Sequence, residues 1–386
     1  MYLSKKTFLA YSYFIIVTCM YGFSFTKLDI TGGLHDVLLI SSLLIASLSF
    51  VVDAYSSKMF SRLFIIGVLS LLVYFSSHET LYILMVWSAI MIKDIGYDKA
   101  LKIIFYIRLI MFAIVLICVL FGIIGIEKTT VSKGLYGQVV AYGLGYSHPN
   151  NLGQEIFYLS TLFLCVKNEK IKNQHFLYLI IIDIITYIIT GSKTPCSLLL
   201  ILILILFVFK NFSKERLYTI YSKVCLTLSV ILPIFGTVLP IIMLNSSGKL
   251  RQIIYLLNGK LNQRISNSSM MYRSFHITLF GKIIDLEYLK KHFGYNVVDN
   301  GYTFALFNFG IIGFGLMALL YFLSIKILIK KKEVIYFSVI TMTLCLAIME
   351  NILRAMYMNF CMLFWWEVIS IGFSKSKQVG EINNDT

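Results

Sequence analysis

In this chain, apolar runs of membrane-spanning length follow one another, mostly separated by short charged loops, and that leaves few folds open to it. A hydrocarbon core about 30 Å thick takes roughly 20 apolar residues per helical crossing, and backbone groups inside it must be paired within their own segment. Hydrophobic residues make up 58% of the 386 and charged residues only 14%, against about 25% charged in a soluble domain. The expectation is an all-α, polytopic integral membrane helix bundle, one domain over residues 1–386.

The apolar runs fall near 8–25, 35–52, 62–76, 80–92, 103–126, 152–166, 176–190, 195–209, 224–244, 303–329, 334–349 and 355–373. This predicts about twelve transmembrane helices, the third and fourth short enough to be tilted or packed inside the bundle. Lysine and arginine collect in alternate loops: Lys5/Lys6, Lys58/Arg62, Lys93/Lys99/Lys102, Lys167/Lys170/Lys172, Lys210/Lys214/Arg216/Lys223, Lys326/Lys330/Lys331/Lys332 and Lys375/Lys377. By the positive-inside rule these loops and both termini face the cytoplasm. The short opposite loops carry only Lys27, Lys128, Lys133, Lys193 and Arg354. The net charge of +15 is thus read as topology, with no nucleic-acid partner expected. Seven cysteines sit in or at apolar runs without metal-site spacing and read as packing residues. Lys5 and Lys6 ahead of the first run imitate a signal peptide, but the run is long and lacks a small-x-small cleavage site, so it reads as the first span.

One long polar interruption, residues 245–302, breaks the pattern and is placed outside the membrane. Its eight basic residues do not oppose this, because long loops translocate largely regardless of charge. Two stretches in it mix apolar and basic residues at helical spacing: Arg251-Gln-Ile-Ile-Tyr-Leu-Leu-Asn258 and Ser269-Met-Met-Tyr-Arg-Ser-Phe-His-Ile-Thr-Leu-Phe280. They predict two short amphipathic helices, the second capped by Asn267 or Ser268, with Arg273 and His276 on one face. Such helices suit either lipid headgroups or an anionic substrate. Asp285 and Glu287 imitate an acidic metal motif, but with lysines nearby they read as a solvated face, and no metal is expected.

Polar residues also gather at three other external points. Gly143-Leu-Gly-Tyr-Ser-His-Pro-Asn-Asn-Leu-Gly153 precedes the sixth span, with Pro149 disfavouring helix at His148 and Asn150 as the expected N-cap. Gln154 and Glu155 lie one turn inside, complementing the helix N-terminus. Thr190-Gly-Ser-Lys-Thr-Pro195 makes a tight corner with Lys193, and Gly294-Tyr-Asn-Val-Val-Asp-Asn-Gly-Tyr302 leads into a span bearing Gly310-Ile-Ile-Gly-Phe-Gly315. An Asx turn accounts for Asp299 and Asn300.

Taken in order, these elements resemble a Wzy-type polysaccharide polymerase, a family similar in plan to the O-antigen ligases. The resemblance covers roughly residues 140–320 in motif order and the whole chain in topology. It departs in having Lys193 where an arginine is more usual, and Asp299 and Asn300 where the ligases place a histidine. The resemblance implies glycosyl transfer outside the bacterial cytoplasmic membrane, from an undecaprenyl-pyrophosphate-linked oligosaccharide to another lipid-linked repeat unit, without a cofactor. Membrane lipid, a flippase and a chain-length regulator are the further partners it implies. Cations fixed outside the bilayer would stabilise the pyrophosphate leaving group: Arg273 first, then Arg251, Arg264 and Lys193. Asp299 is the first expected proton acceptor, His148 and His276 the second, with Asn150, Asn300 and Tyr302 holding sugar hydroxyls. A ligase, a lipid-linked oligosaccharide flippase and a membrane acyltransferase compete with this reading. The long loop favours the enzyme over the flippase, and no histidine lies deep in a span as the acyltransferase would need.

Charges inside apolar runs complete the reading. Asp183 is expected to bond Thr186 or a neighbouring helix, Glu367 to reach the cytoplasmic interface, and Arg108 to snorkel there.

Overall fold

The computed structural model describes residues 4–52, 55–132, 138–212, 214–294, 298–354 and 358–371. Lys133, Lys375 and Lys377 of the charge pattern lie outside them. The described chain is almost entirely helical: α1 (Lys5–Tyr21), α2 (Gly33–Val52), α3 (Ser57–Ser77), α4 (Thr80–Met91), α5 (Gly96–Leu120), α6 (Pro149–Lys167), α7 (Asn173–Thr190), α8 (Lys193–Phe212) and α9 (Glu215–Asn245). Then come α10 (Gly248–Lys260), α11 (Arg264–Ser274), α12 (Leu286–Phe293), α13 (Gly301–Lys330), α14 (Val334–Leu346), a 3-10 segment (Phe360–Trp365) and α15 (Trp366–Ile369). One feature departs from the all-helical expectation. Strands β1 (Lys128–Ser132) and β2 (Gln138–Tyr142) pair antiparallel between α5 and α6, and α5 ends at Leu120, short of the predicted span end at residue 126.

Among the described residues, seven helices are long and apolar enough to cross a membrane: α2, α3, α5, α7, α8, α9 and α13. Their outer faces keep apolar side chains exposed, such as Val37, Ile40, Leu44 and Leu48 on α2 and Leu177, Ile181, Ile184 and Ile188 on α7. In water such faces would be a liability, whereas hydrocarbon is their natural solvent. The protein is therefore membrane-embedded. The short α4 and α14 are apolar all round and buried nearly throughout, as helices enclosed by others must be.

Helix α13 is broken rather than continuous. Gly310 adopts φ 71°, ψ 179° in mid-helix, which an L side chain does not tolerate. Residues 278–282 fill the gap: the N–H groups of Ile311 and Ile312 donate to the carbonyls of Thr278 and Leu279 at 3.0 Å, and Lys282 N–H donates to the Phe307 carbonyl at 3.1 Å. Backbones touch here, because a Cβ on Gly281 would lie 1.9 Å from the Asn308 carbonyl oxygen. Backbone groups freed by the break are thus paired by a loop instead of by the helix.

Three carboxylates and cations deep in the fold differ in their roles. Arg108 does not snorkel: it is buried, ion-paired with Glu155, and donates to the Tyr21 carbonyl at 2.9 Å. Glu155 therefore serves a cross-helix pair and not its own N-terminus. Asp183 is buried on α7 near Cys196 of α8, while the Thr186 hydroxyl, instead of bonding it, returns to the Ile182 carbonyl. Glu367 meets Lys331 at 2.6 Å.

Candidate functional site

The loops meet in two sets. Thr26 bridges Tyr146, Ser192 packs on Gly153, Asn150 bonds Glu350, Arg264 approaches Glu350, and Arg354 approaches Glu79, which joins the segments after α1, α3, α5, α7, α9 and α14 at one end. At the opposite end lie Lys93, Lys210 and Lys331 with a cleft of 860 Å³. That cleft sets Lys99, Lys102, Lys167, Lys170 and Lys331 against Asp98, Glu169, Glu333 and Glu367, so its charge nearly cancels.

The first end holds a knot of charge centred on Arg264. This residue opens α11, where Gln263 turns the chain at φ 62° without a side-chain cap. Its guanidinium forms an ion pair with Asp299 and lies 3.7 Å from Glu350. Glu350 follows α14 and accepts from Asn150 Nδ2 at 2.7 Å and from Gln154 Nε2 at 2.8 Å, both on α6. Burial lifts the Glu350 carboxyl to about 7, although Arg264, Asn150 and Gln154 all favour its charged form. His148 stands close enough to feel Arg264. Burial and that guanidinium lower its pKa, while Glu127 acts the other way.

Helix α6 starts at Pro149, not near Leu152, and its cap is His148, whose Nδ1 accepts from the Asn150 N–H at 3.1 Å. This frees the Asn150 side chain for Glu350. Arg264, Asp299, Asn150 and His148, proposed from separate motifs, are thereby brought together. Glu350 was missed, since a single carboxylate just past an apolar run reads as a loop residue. Its flanking Asn351 and Arg354 were the available signal.

The other expected residues fall elsewhere. Arg251 and Arg273 line a second site, a groove of 540 Å³ between the end of α9, α10 and α11, with Tyr255, Gln263 and Phe293. Arg251 lies over Tyr255 at 5.5 Å. Asn258 ties α10 to α11 through Ser266 at 3.0–3.1 Å, and Tyr272 anchors α11 to the Thr237 carbonyl of α9 at 2.7 Å. Because α11 ends at Ser274, Arg273 and His276 do not share a helical face, and His276 lies exposed beyond it. Lys193 is exposed at the first residue of α8, beside the Ser192 that packs on Gly153.

Asn300 and Tyr302 are committed to the fold. Asn300 caps α13 by accepting from the N–H groups of Tyr302 and Thr303, and its amide donates to the Gly236 carbonyl at 2.8 Å. Tyr302 is buried with its hydroxyl on the Leu344 carbonyl at 2.7 Å. Neither side chain is placed to hold a sugar. Asp285 caps α12 through the Tyr288 N–H at 2.8 Å, and among the described residues no group of three or more His, Cys, Asp or Glu is placed to hold a metal.

Two chemical capacities thus sit at one end of the molecule. A buried carboxyl with a pKa near neutrality is suited to accepting a proton, and a groove edged by two exposed arginines is suited to a polyanion. Comparison of the chain with family models, with curated proteins and with solved structures finds no match.

Proposed function

We propose that the protein is a polymerase of lipid-linked oligosaccharides, a polyprenyl-pyrophosphate-dependent glycosyltransferase of the Wzy type. The observation that carries the reading is the Arg264 knot, which combines Asp299, Glu350 and Asn150 beside the arginine groove. In the reaction, an acceptor sugar hydroxyl attacks the anomeric carbon of the donor glycan. The bond from that carbon to the pyrophosphate oxygen breaks, and polyprenyl pyrophosphate leaves with the bonding electron pair. The hydroxyl proton passes to the Glu350 carboxylate, whose pKa of about 7 matches a base working near neutral pH. Asp299 holds Arg264 in place instead of taking the proton itself, and Arg251 and Arg273 neutralise the growing charge on the pyrophosphate. A proton acceptor and a polyanion groove at one end, on a loop of this length, support a transferase over a flippase, which moves its lipid-linked cargo without breaking the pyrophosphate bond.

In this reading the twelve-pass topology includes the shorter α1, α4, α6, α14 and the 3-10 segment with α15. The lysine-rich end is cytoplasmic, and loop 245–302 is extracellular or periplasmic. A cysteine introduced at Asn262 is then labelled by impermeant reagent only from outside, and cytoplasmic labelling would overturn the topology.

The deciding experiment deletes the gene and measures the sizes of lipid-linked and surface glycans after complementation with wild type or Glu350→Gln. Single repeat units outside the cell, extended to long chains only by wild type, support the polymerase. Long chains stranded on the carrier indicate a ligase, and units trapped inside indicate a flippase. Long chains made by Glu350→Gln would remove the assigned base.

A further inference from the structure

Behind the charge knot, toward the interior of the bundle, a cavity of 20 Å³ is lined by Ser24, Arg108, Tyr146, Gln154, Glu155 and Tyr158, among others. Two of its lining groups are buried polar atoms without a protein partner: the Nε–H of Arg108, a donor, and Oε1 of Gln154, an acceptor. Both side chains are more than nine-tenths buried, at 3% and 8% exposure. An anion would satisfy the arginine and repel the amide oxygen, and a metal cation would do the reverse. A molecule that both accepts and donates satisfies both, and the volume suits a single water, which needs roughly 10–15 Å³ and two or more polar partners.

We infer that this cavity is a binding site for one water bridging Arg108 Nε to Gln154 Oε1, and that Gln154 so held is a positioning residue for the Glu350 carboxyl. A glutamine amide can turn over, presenting oxygen where nitrogen was. Turned over, Gln154 would set its oxygen against Glu350 Oε2, to which its Nε2 now donates at 2.8 Å. The water favours the amide the productive way round, because a water accepting from the cationic Arg108 turns its hydrogens away from the guanidinium and so toward Oε1, and that arginine is held in place by the Glu155 pair and the Tyr21 carbonyl. The groups facing Glu350 are then Arg264 from α11 with Asp299 behind it, and Asn150 and Gln154 from α6. The catalytic meaning of this site rests on the reading of Glu350 as the base, whereas the water and the amide do not depend on it.

The test uses the full chain in lipid nanodiscs, treated with dicyclohexylcarbodiimide, which modifies protonated buried carboxyls. Labelling of the Glu350 peptide is followed by mass spectrometry from about pH 5 to about pH 9, a range that brackets the carboxyl. Gln154→Leu removes a donor to the charged form and is expected to raise the labelling midpoint by about one pH unit. Arg108→Lys keeps a charge opposite Glu155 but withdraws the Nε–H, and is expected to raise the midpoint by roughly half as much, because the amide is then free to turn. Midpoints unchanged in both variants overturn the inference. A shift with Gln154→Leu alone overturns the water and leaves only a direct hydrogen bond. A density map of the wild-type protein that resolves ordered waters, and needs no variant, must show a peak between the two atoms. A smooth gap there also overturns it. If the midpoint shifts while the pH at half-maximal glycan transfer stays put, the network stands and Glu350 is not the base.

Discussion

The two polar regions at the loop-rich end are built on opposite principles. The Arg264 knot draws its members from α6, α11, the entry to α13 and the exit of α14, and surrounds its central guanidinium with carboxylates. The Arg251/Arg273 groove is assembled within residues 243–293 and leaves both cations exposed over an open space. A compensated, partly buried centre keeps its geometry but loses when one member is removed. An exposed, uncompensated pair costs little to keep and holds its charge for an incoming polyanion.

Arg264→Ala is the substitution that most sharply separates the two. It leaves the Asp299 and Glu350 carboxyls without their shared partner, and breaking a partly buried pair of this kind costs at most about 3–5 kcal/mol. The expected result is loss of glycan polymer together with a lowered melting temperature in detergent. A variant that keeps the wild-type melting temperature would mean that the knot is not a structural unit.

Glu350→Gln comes next, with a rate loss of roughly 100-fold or more at neutral pH and normal protein level. Its pH behaviour has a defined sign. The folded carboxyl, raised to about 7, holds its proton where the unfolded one, near 4.5, has released it. The wild type therefore loses stability as pH rises from about 4.5 to about 7, and gains activity over the upper part of that range. Melting curves of wild type and Glu350→Gln recorded on both sides of neutrality should diverge, the glutamine variant being the more stable at alkaline pH.

Arg273→Ala and Arg251→Ala act on the groove, so polymer formation should fall by about 10–100-fold while melting temperature holds within a degree or two. The residual binding of pyrophosphate-bearing substrate should weaken steeply with salt in the wild type and less in the variants. Equal salt dependence would place the pyrophosphate elsewhere.

The smallest effect is expected from Tyr302→Phe, which removes one buried hydrogen bond at about 1 kcal/mol. Transfer rates per folded molecule should stay at the wild-type value. A specific loss of activity would return Tyr302 to the substrate site.

Much of this was legible in the sequence where the solvent is lipid. The exposed leucines and isoleucines of α2 and α7 make their spans visible as uninterrupted apolar runs, and α4 and α14 are visible for the same reason although they face protein. The break in α13 was not legible: Gly310 reads as a small residue in a span until the backbone of residues 278–282 arrives beside it. Within the site, Arg264, Asp299, Asn150 and His148 were each recognisable as polar residues at an external edge. That they belong together depends on Glu350, some 200 positions from Asn150, and no local pattern joins them. Asn300 and Tyr302 were misread because a helix cap and a buried phenol use the same atoms that would hold a sugar.

The seam between residues 278–282 and the broken α13 also bears on how freely the chain between α11 and α13 can vary in length. The two turns of helix ahead of Gly310 begin immediately after Asp299 and Asn300, and their far end accepts from Lys282 N–H at Phe307, while Ile311 and Ile312 just past Gly310 donate to Thr278 and Leu279. An insertion or deletion inside residues 275–282 would slide that bonded edge against the half-helix and shift Asp299 relative to Arg264. Surface loops usually diverge freely, but this one carries a fixed-length segment as constrained as any buried helix.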